Sequence, residues 1–158
     1  MIWSKLKAWH ARLVGVLEAG SPLGDLLIRL WVANAFWQAG LVKIASMYST
    51  VYMFRTVYHV PLLPPELAAY LGTGIELVFP VLLAFGIVTR FAAGFLFIYN
   101  IVAVVSYPAL WPTGFTDHKV WGLMLLITVL HGPGALSVDA MVQRWAPRVL
   151  RALKGARG

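Results

Sequence analysis

Four apolar stretches recur along the chain, at about residues 26–47, 67–87, 91–110 and 119–134. The first three approach the roughly 20 residues that a helix needs to cross about 30 Å of hydrocarbon, and the fourth is the shortest. Ahead of them, Ile2, Leu6, Trp9, Leu13, Val16 and Leu17 recur at helical spacing. Lys5, Lys7, His10 and Arg12 interrupt what would be a signal-peptide core, so residues 2–18 read as a helix lying in the membrane interface. Gly20-Ser21-Pro22 is expected to end that helix, and Asp25 to cap the first span. Residues 48–66 are too polar to cross; their tyrosines suit an interface, and a short surface helix is expected before Pro61, Pro64 and Pro65. After Gly132-Pro133-Gly134, Ser137 can cap a last helix over 138–154. Its apolar face is Val138, Met141, Val142, Trp145, Val149 and Leu153; Arg144, Arg148, Arg151 and Lys154 stay polar, and Pro147 should kink it. The pattern predicts one all-α integral membrane domain, a four-transmembrane-helix bundle with amphipathic interfacial helices at both ends. It shows no sequence repeat, heptad array or low-complexity linker.

Composition agrees. The chain has 158 residues, 60% hydrophobic and 12% charged, with mean hydropathy +0.77. Soluble domains run at roughly 45–50% apolar and about 25% charged. The absence of cysteine removes disulfides, thiolate metal sites and Cys nucleophiles. The net charge of +7 is not a nucleic-acid signal. Of the 13 Lys and Arg, all but Lys43, Arg55 and Lys119 fall on the side of the termini and the Arg90 turn. Positive-inside topology then makes both termini cytoplasmic, against anionic lipid.

The candidate chemistry lies in polar residues inside the spans. At about 100° per residue, Arg29, Phe36, Gly40 and Lys43 share one face of the first span, with Asn34 and Gln38 roughly opposite. A lone span cannot hide both sets, so it needs helical neighbours. By depth, Gln38, Glu76 and Asn100 come near the midplane, Lys43, His118 and Tyr107 toward the outer face, and Arg29, Arg90 and His131 toward the cytoplasmic face. Glu76 is the sharpest candidate: either a proton- or quinol-handling acid, or a structural carboxyl bonded to Gln38, Asn100 or backbone, or paired with Arg29 or Lys43. Arg29 can bind an anionic headgroup or substrate, or snorkel. Asn34, Gln38 and Asn100 suit interhelical hydrogen bonds. His118, beside Asp117 and three residues before Trp121, fits a proton relay or quinone contact, or a headgroup-level helix start capped by Asp117. His131 could ligate a metal or close its own helix. No pair of histidines has metal-site spacing, and P-loop, GxGxxG, Ser-His-Asp and HExxH patterns are absent.

Several stretches together resemble the DoxX family of small four-span membrane proteins. They are FWQAGLVKI (Phe36 to Ile44) in the Arg29 span, YLGTGIELVFPVLLAFGIVTRFAA (Tyr70 to Ala93), DHKVWG (Asp117 to Gly122) and HGPGALSVD (His131 to Asp139). The resemblance implies a four-helix membrane fold in the bacterial inner membrane. For function it implies less. One member is a subunit of a thiosulfate:quinone oxidoreductase; others look like partners in oxidative-stress complexes or in maturation of copper-binding peptides. The expectation is an accessory subunit of a membrane redox or copper-peptide maturation system, with partner proteins and a possible homo-oligomer. Glu76 would be the proton-linked group of a quinone or lipid-like site formed with Arg29, Gln38, Lys43, Asn100 and His118. The alternative is a non-catalytic scaffold that holds partner proteins at the cytoplasmic surface. A small transporter is a third reading, disfavoured because paired broken helices are not evident.

Overall fold

The computed structural model describes residues 2–155, with side chains described for residues 3–146. It is all-helical, with no strand among the described residues. The helices are α1 (Ile2–Ala45), α2 (Met47–Thr56), α3 (Pro65–Phe85), α4 (Thr89–Ser106), α5 (Thr116–His131) and α6 (Val138–Gly155), with a 3-10 turn at Pro108–Leu110. Two of them, α3 and α4, are long and apolar enough to cross a membrane. The apolar run of α1 is broken by Arg29, Asn34, Gln38 and Lys43. At 16 residues, α5 rises only about 24 Å.

The expected break at Gly20-Ser21-Pro22 does not occur: α1 runs unbroken through Pro22 for 44 residues. Proline removes one amide donor and crowds the preceding turn. Residues 18–21 are exposed, so no neighbouring element competes for the carbonyl this frees. Asp25 is therefore interior to α1 and caps nothing. At α5 the residue before the helix is Phe115, in a left-handed conformation with no side-chain cap, and Asp117 sits in the first turn. A carboxylate there favours the helix through its dipole rather than as a cap. The predicted kink at Pro147 and the predicted face residues beyond it lie outside the described side chains.

Helix packing is α1 on α3, α3 on α4, α4 on α5, and α5 back on α1, while α2 crosses α3. The buried core draws Val32, Ala33 and Phe36 from α1, Leu83 from α3, Ala92, Ala93 and Leu96 from α4, and Leu125 from α5. Gly40 sets the closest approach of α1 to α3. A Cβ there would stand 2.9 Å from the Leu77 side chain and 3.0 Å from the Glu76 carbonyl carbon. Pro80, buried inside α3, removes the amide that would have bonded to that same Glu76 carbonyl.

The other end of the molecule is tied by Arg29, which is 1% exposed. Its Nη1 donates to the Leu83 carbonyl at 3.3 Å and its Nη2 to the Leu136 carbonyl at 2.5 Å. A cation at the last turn of α3 also meets the negative end of that helix. Gly86 ends α3 at φ +70, leaving room for Arg29. A Cβ there would be 2.2 Å from Arg29 Nη1 and 2.4 Å from the Ser137 Cβ. Ser137 caps α6 by accepting from the Ala140 amide. Asp139 reaches back to α4, accepting from the Val88 amide, the Thr89 amide and the Thr89 hydroxyl at 2.8–2.9 Å. It thereby holds Val88, a β-branched residue, at φ 41, a strained conformation. The turn occupies residues 86–88, and Asp139 holds the start of α4 at Thr89.

Gly86→Ala is expected to lower stability by about 2–4 kcal/mol, from left-handed strain and overpacking against Arg29. Gly74→Ala, where nothing lies within 4 Å of the added Cβ, is expected to be neutral or to stabilise by about 0.5–1 kcal/mol. Thermal unfolding of both variants in one detergent checks the contrast; equal losses would contradict this packing. A second expectation concerns acid. Burial raises the Asp139 carboxyl, but hydrogen bonds from Thr89 and Val88 and the Arg29 charge outweigh it and hold it below its ordinary 3.8. Its contribution is present above the unfolded value and is lost as pH falls through the lower folded value. Exchange of the Val88 and Thr89 amides, corrected for intrinsic rate, should be slow near pH 5 and accelerate below about pH 3.8. Asp139→Asn should make it fast at both.

Candidate functional site

The site is built where α1, α2, α3 and α4 converge. α1 delivers Lys43 one turn after Gly40, so the close approach at Gly40 brings the ammonium onto α3. Lys43 Nζ stands 2.5 Å from both carboxylate oxygens of Glu76. The side chains are 19% and 6% exposed, so the pair is largely removed from solvent. Tyr99 of α4 donates its hydroxyl to Glu76 Oε1 at 2.9 Å. Thr50 of α2 donates to the Lys43 carbonyl at 2.9 Å, fastening the start of α2 to the end of α1. Ser46 caps α2, and the chain turns there without leaving the site.

A second polar pair faces the first. Asn100 Nδ2 donates to the His118 carbonyl at 2.9 Å, and Asn100 Oδ1 lies 2.8 Å from His118 Nδ1. A carbonyl only accepts, which fixes the amide orientation and makes its oxygen the acceptor from Nδ1–H. In the neutral ring Nε2 then carries the free lone pair. No hydrogen bond reaches Nε2 among the described residues. Trp121 packs edge-on against His118 at 4.9 Å and against Phe36 at 5.8 Å, and Phe36 meets Tyr99 at 6.3 Å. An aromatic wall thus joins the two polar pairs.

Two cavities meet there. One, of about 460 Å³, is bordered by Lys43, Glu76, His118 and Trp121, with Ser49 and Thr50 from α2. The other, of about 260 Å³, is almost wholly apolar, between α3 and α4, with Tyr99, Phe95 and Ile98 in its walls. Lys43, Phe54, Tyr58 and Ala103 border both. Ser106 lines the apolar one, and its buried hydroxyl has no hydrogen-bond partner among the described residues. Burial raises the pKa of Tyr58, in the loop after α2, above its ordinary value. Together the cavities offer an ion pair, phenols and an imidazole at one end and a greasy slot at the other. That arrangement suits an amphiphile with a compact polar head.

Of the six residues proposed from sequence, the structure places Lys43, Glu76 and His118 on one cavity, with Asn100 behind His118. It does not bring Arg29 or Gln38 there. Arg29 binds backbone carbonyls at the far end of α3. Gln38 is exposed on the outer surface of α1. Asn100 was placed at the midplane and His118 toward the outer face, yet they bond directly. Lys43 likewise reaches from its own level to Glu76. Tyr99 was missed: nothing in the sequence separates it from interfacial tyrosines, except that it precedes Asn100 and sits mid-span. Asn34 is exposed beside Gln38. Among the described residues no three His, Asp or Glu are grouped to hold a metal.

The DoxX family model matches residues 24–109, which include α1 from Gly24 onward, α2, α3 and α4. The chain is 31% identical over 134 residues to an uncharacterized protein of Haemophilus influenzae, covering 81% of this chain and 89% of that one. It is 30% identical over 124 residues to "Putative oxidoreductase CatD" of Bacillus subtilis, covering 76% of this chain and 87% of that one. No solved structure matches significantly. With the matched segment carrying Lys43, Glu76 and Tyr99, this chain belongs to the DoxX family of membrane proteins.

Proposed function

We propose that the protein is a four-span accessory subunit of the bacterial inner membrane, both termini cytoplasmic, that serves a membrane redox system by binding a quinone or a lipid-like amphiphile. The observation that carries this is the Lys43–Glu76–Tyr99 network on the wall between the two cavities. The DoxX membership and the oxidoreductase name of the Bacillus relative support the redox context. α1 and α5 complete the bundle with α3 and α4. A ligand's carbonyl or hydroxyl head would sit against Lys43 and His118, its ring or chain in the apolar slot. Glu76 is the proton-linked group. In hydrocarbon its charge is tolerated because Lys43 neutralises it and Tyr99 donates to it. A proton arriving on Glu76 releases the Lys43 ammonium to a reduced, anionic head. Electrons belong to a partner protein, which makes this an accessory role. The copper-peptide maturation setting expected from the resemblance would use the same cavity.

The scaffold alternative also rests on an observation. α6 is clamped to the bundle through Asp139, while its Met141, Val142 and Trp145 stay exposed. A firmly held amphipathic helix at the membrane surface can present partners.

Glu76→Gln keeps shape and removes titration, so it separates the readings. A proton-linked site loses complementation of the deletion strain, whereas a scaffold tolerates the change. Binding of a short-chain quinone to protein in nanodiscs, read by quenching of Trp121, should weaken roughly tenfold in Glu76→Ala or Lys43→Ala, the loss of one buried charge-assisted contact. Arg29→Lys should leave it unchanged. Absence of quinone binding, with quinone-linked respiration intact on deletion, would sink the redox reading.

The ion pair itself has an expected energetic signature. Glu76→Leu or Lys43→Met alone leaves an uncompensated buried charge and should cost about 3–5 kcal/mol. The double variant should recover most of that stability in unfolding experiments yet bind no quinone. A double variant as unstable as the singles would show that the pair is not what balances these charges.

A further inference from the structure

The outer face of α1 carries two amides that the rest of the chain leaves alone. Asn34 and Gln38 are exposed, and neither makes a hydrogen bond among the described residues. The buried side of the helix, with Arg29, Val32, Phe36 and Gly40, points the other way. Asn34 lies about 12 Å into the expected first span. An amide facing hydrocarbon without a partner is costly, and Asn or Gln across a membrane interface is the usual remedy.

The apolar residues around Asn34 have a particular spacing. Leu27, Asn34 and Leu41 are seven apart, interleaved by Leu23, Leu30 and Trp37, also seven apart. Alternating steps of three and four are those of a left-handed helix pair. The flanking leucines are 39–58% exposed. No heptad stood out in the sequence because the buried face, with its own apolar residues, overlays it. The seam emerges once that face is subtracted. Beside Asn34 a groove of about 210 Å³ between α1 and α3, bordered by Ala33, Pro80 and Ala84, leaves room for a close neighbour.

We propose that this face is the homodimer interface, with α1 of a second copy of this chain packed parallel along it and Asn34 hydrogen-bonded to its own counterpart. The second copy is favoured over another protein by the chemistry. An amide both donates and accepts, so it complements itself. Two copies inserted the same way are related by a two-fold axis along the membrane normal, which brings equal positions together. A polar residue at one such core position also fixes register. Gln38, one turn on at the edge of the seam, flanks the pair. The proposal rests on α1 crossing the bilayer, as in the reading above, and on nothing in the cavity.

The chain has no cysteine, so single thiols can be placed at will. In native membranes, oxidation should cross-link Leu30→Cys and Leu41→Cys into dimers of twice 17.4 kDa. Trp31→Cys and Val42→Cys, exposed but off the seam, should stay monomeric. Adding Asn34→Leu to Leu30→Cys should cut the dimer yield roughly tenfold, and Asn34→Gln should restore much of it. Asn34 is exposed, so these changes spare the fold of the protomer; unchanged helicity by circular dichroism verifies that. Equal cross-linking on every face, adducts of another mass only, or insensitivity to Asn34→Leu each overturns the proposal. So does absence of cross-linking while a lipid-soluble maleimide labels the seam thiols, which leaves α1 in the membrane as a monomer. Labelling of Leu30→Cys and Leu41→Cys by an impermeant maleimide overturns the spanning reading and the dimer together.

Discussion

Two opposite charges that are each costly to bury alone govern how α1 meets α3. Lys43 and Glu76 come from different helices, and each lowers the cost of burying the other. The pair forms only if the helix axes approach closely, which is the office of Gly40. Any side chain there would press on Leu77 and on the Glu76 backbone. Tyr99 then recruits α4 through the same carboxylate. Three helices are registered by one acid, and the cavity beside it is a consequence of that registration.

The opposite end uses a different solution to a similar problem. Among the described residues Arg29 has no carboxylate in bonding distance and is held by carbonyls instead. Leu83 lies in the last turn of α3, where carbonyls run short of amide partners; its carbonyl takes the guanidinium beside the Gly86 amide, and the Leu136 carbonyl of the loop before α6 takes the other nitrogen. Asp139 does the converse at the amide end of α4. The two charges therefore close complementary helix ends and bind α1, α3, α4 and α6 into one knot.

Much of this was legible in the sequence. The all-helical class and the two apolar spans α3 and α4 follow from hydrophobic run length, which acts locally. The identities of Lys43, Glu76 and His118 as polar groups inside apolar helices were equally plain. What could not be read was partnership. Depth was assigned from residue number along straight helices, yet a lysine side chain reaches several ångströms along the bundle, so Lys43 meets Glu76 from another level. Asn100 and His118 were likewise assigned to different layers, though they are one unit. The continuity of α1 is not legible because the carbonyl that half-buried Pro22 frees, at exposed residue 18, is open to solvent, which no sequence pattern reveals.

Gln38 and Asn34 carry the same lesson one step further. Sequence alone assigned them to contacts between helices, and their chemistry supports that. Among the described residues neither amide makes a hydrogen bond and both are exposed, so such a contact is open to a neighbour outside the chain. A polar side chain on a membrane helix is information about a neighbour, whether or not that neighbour belongs to the same chain. The buried face of α1 identifies its neighbours through charge and close packing. The outer face carries amides, and an amide's self-complementarity is the reason a second copy of α1 is proposed to cover it.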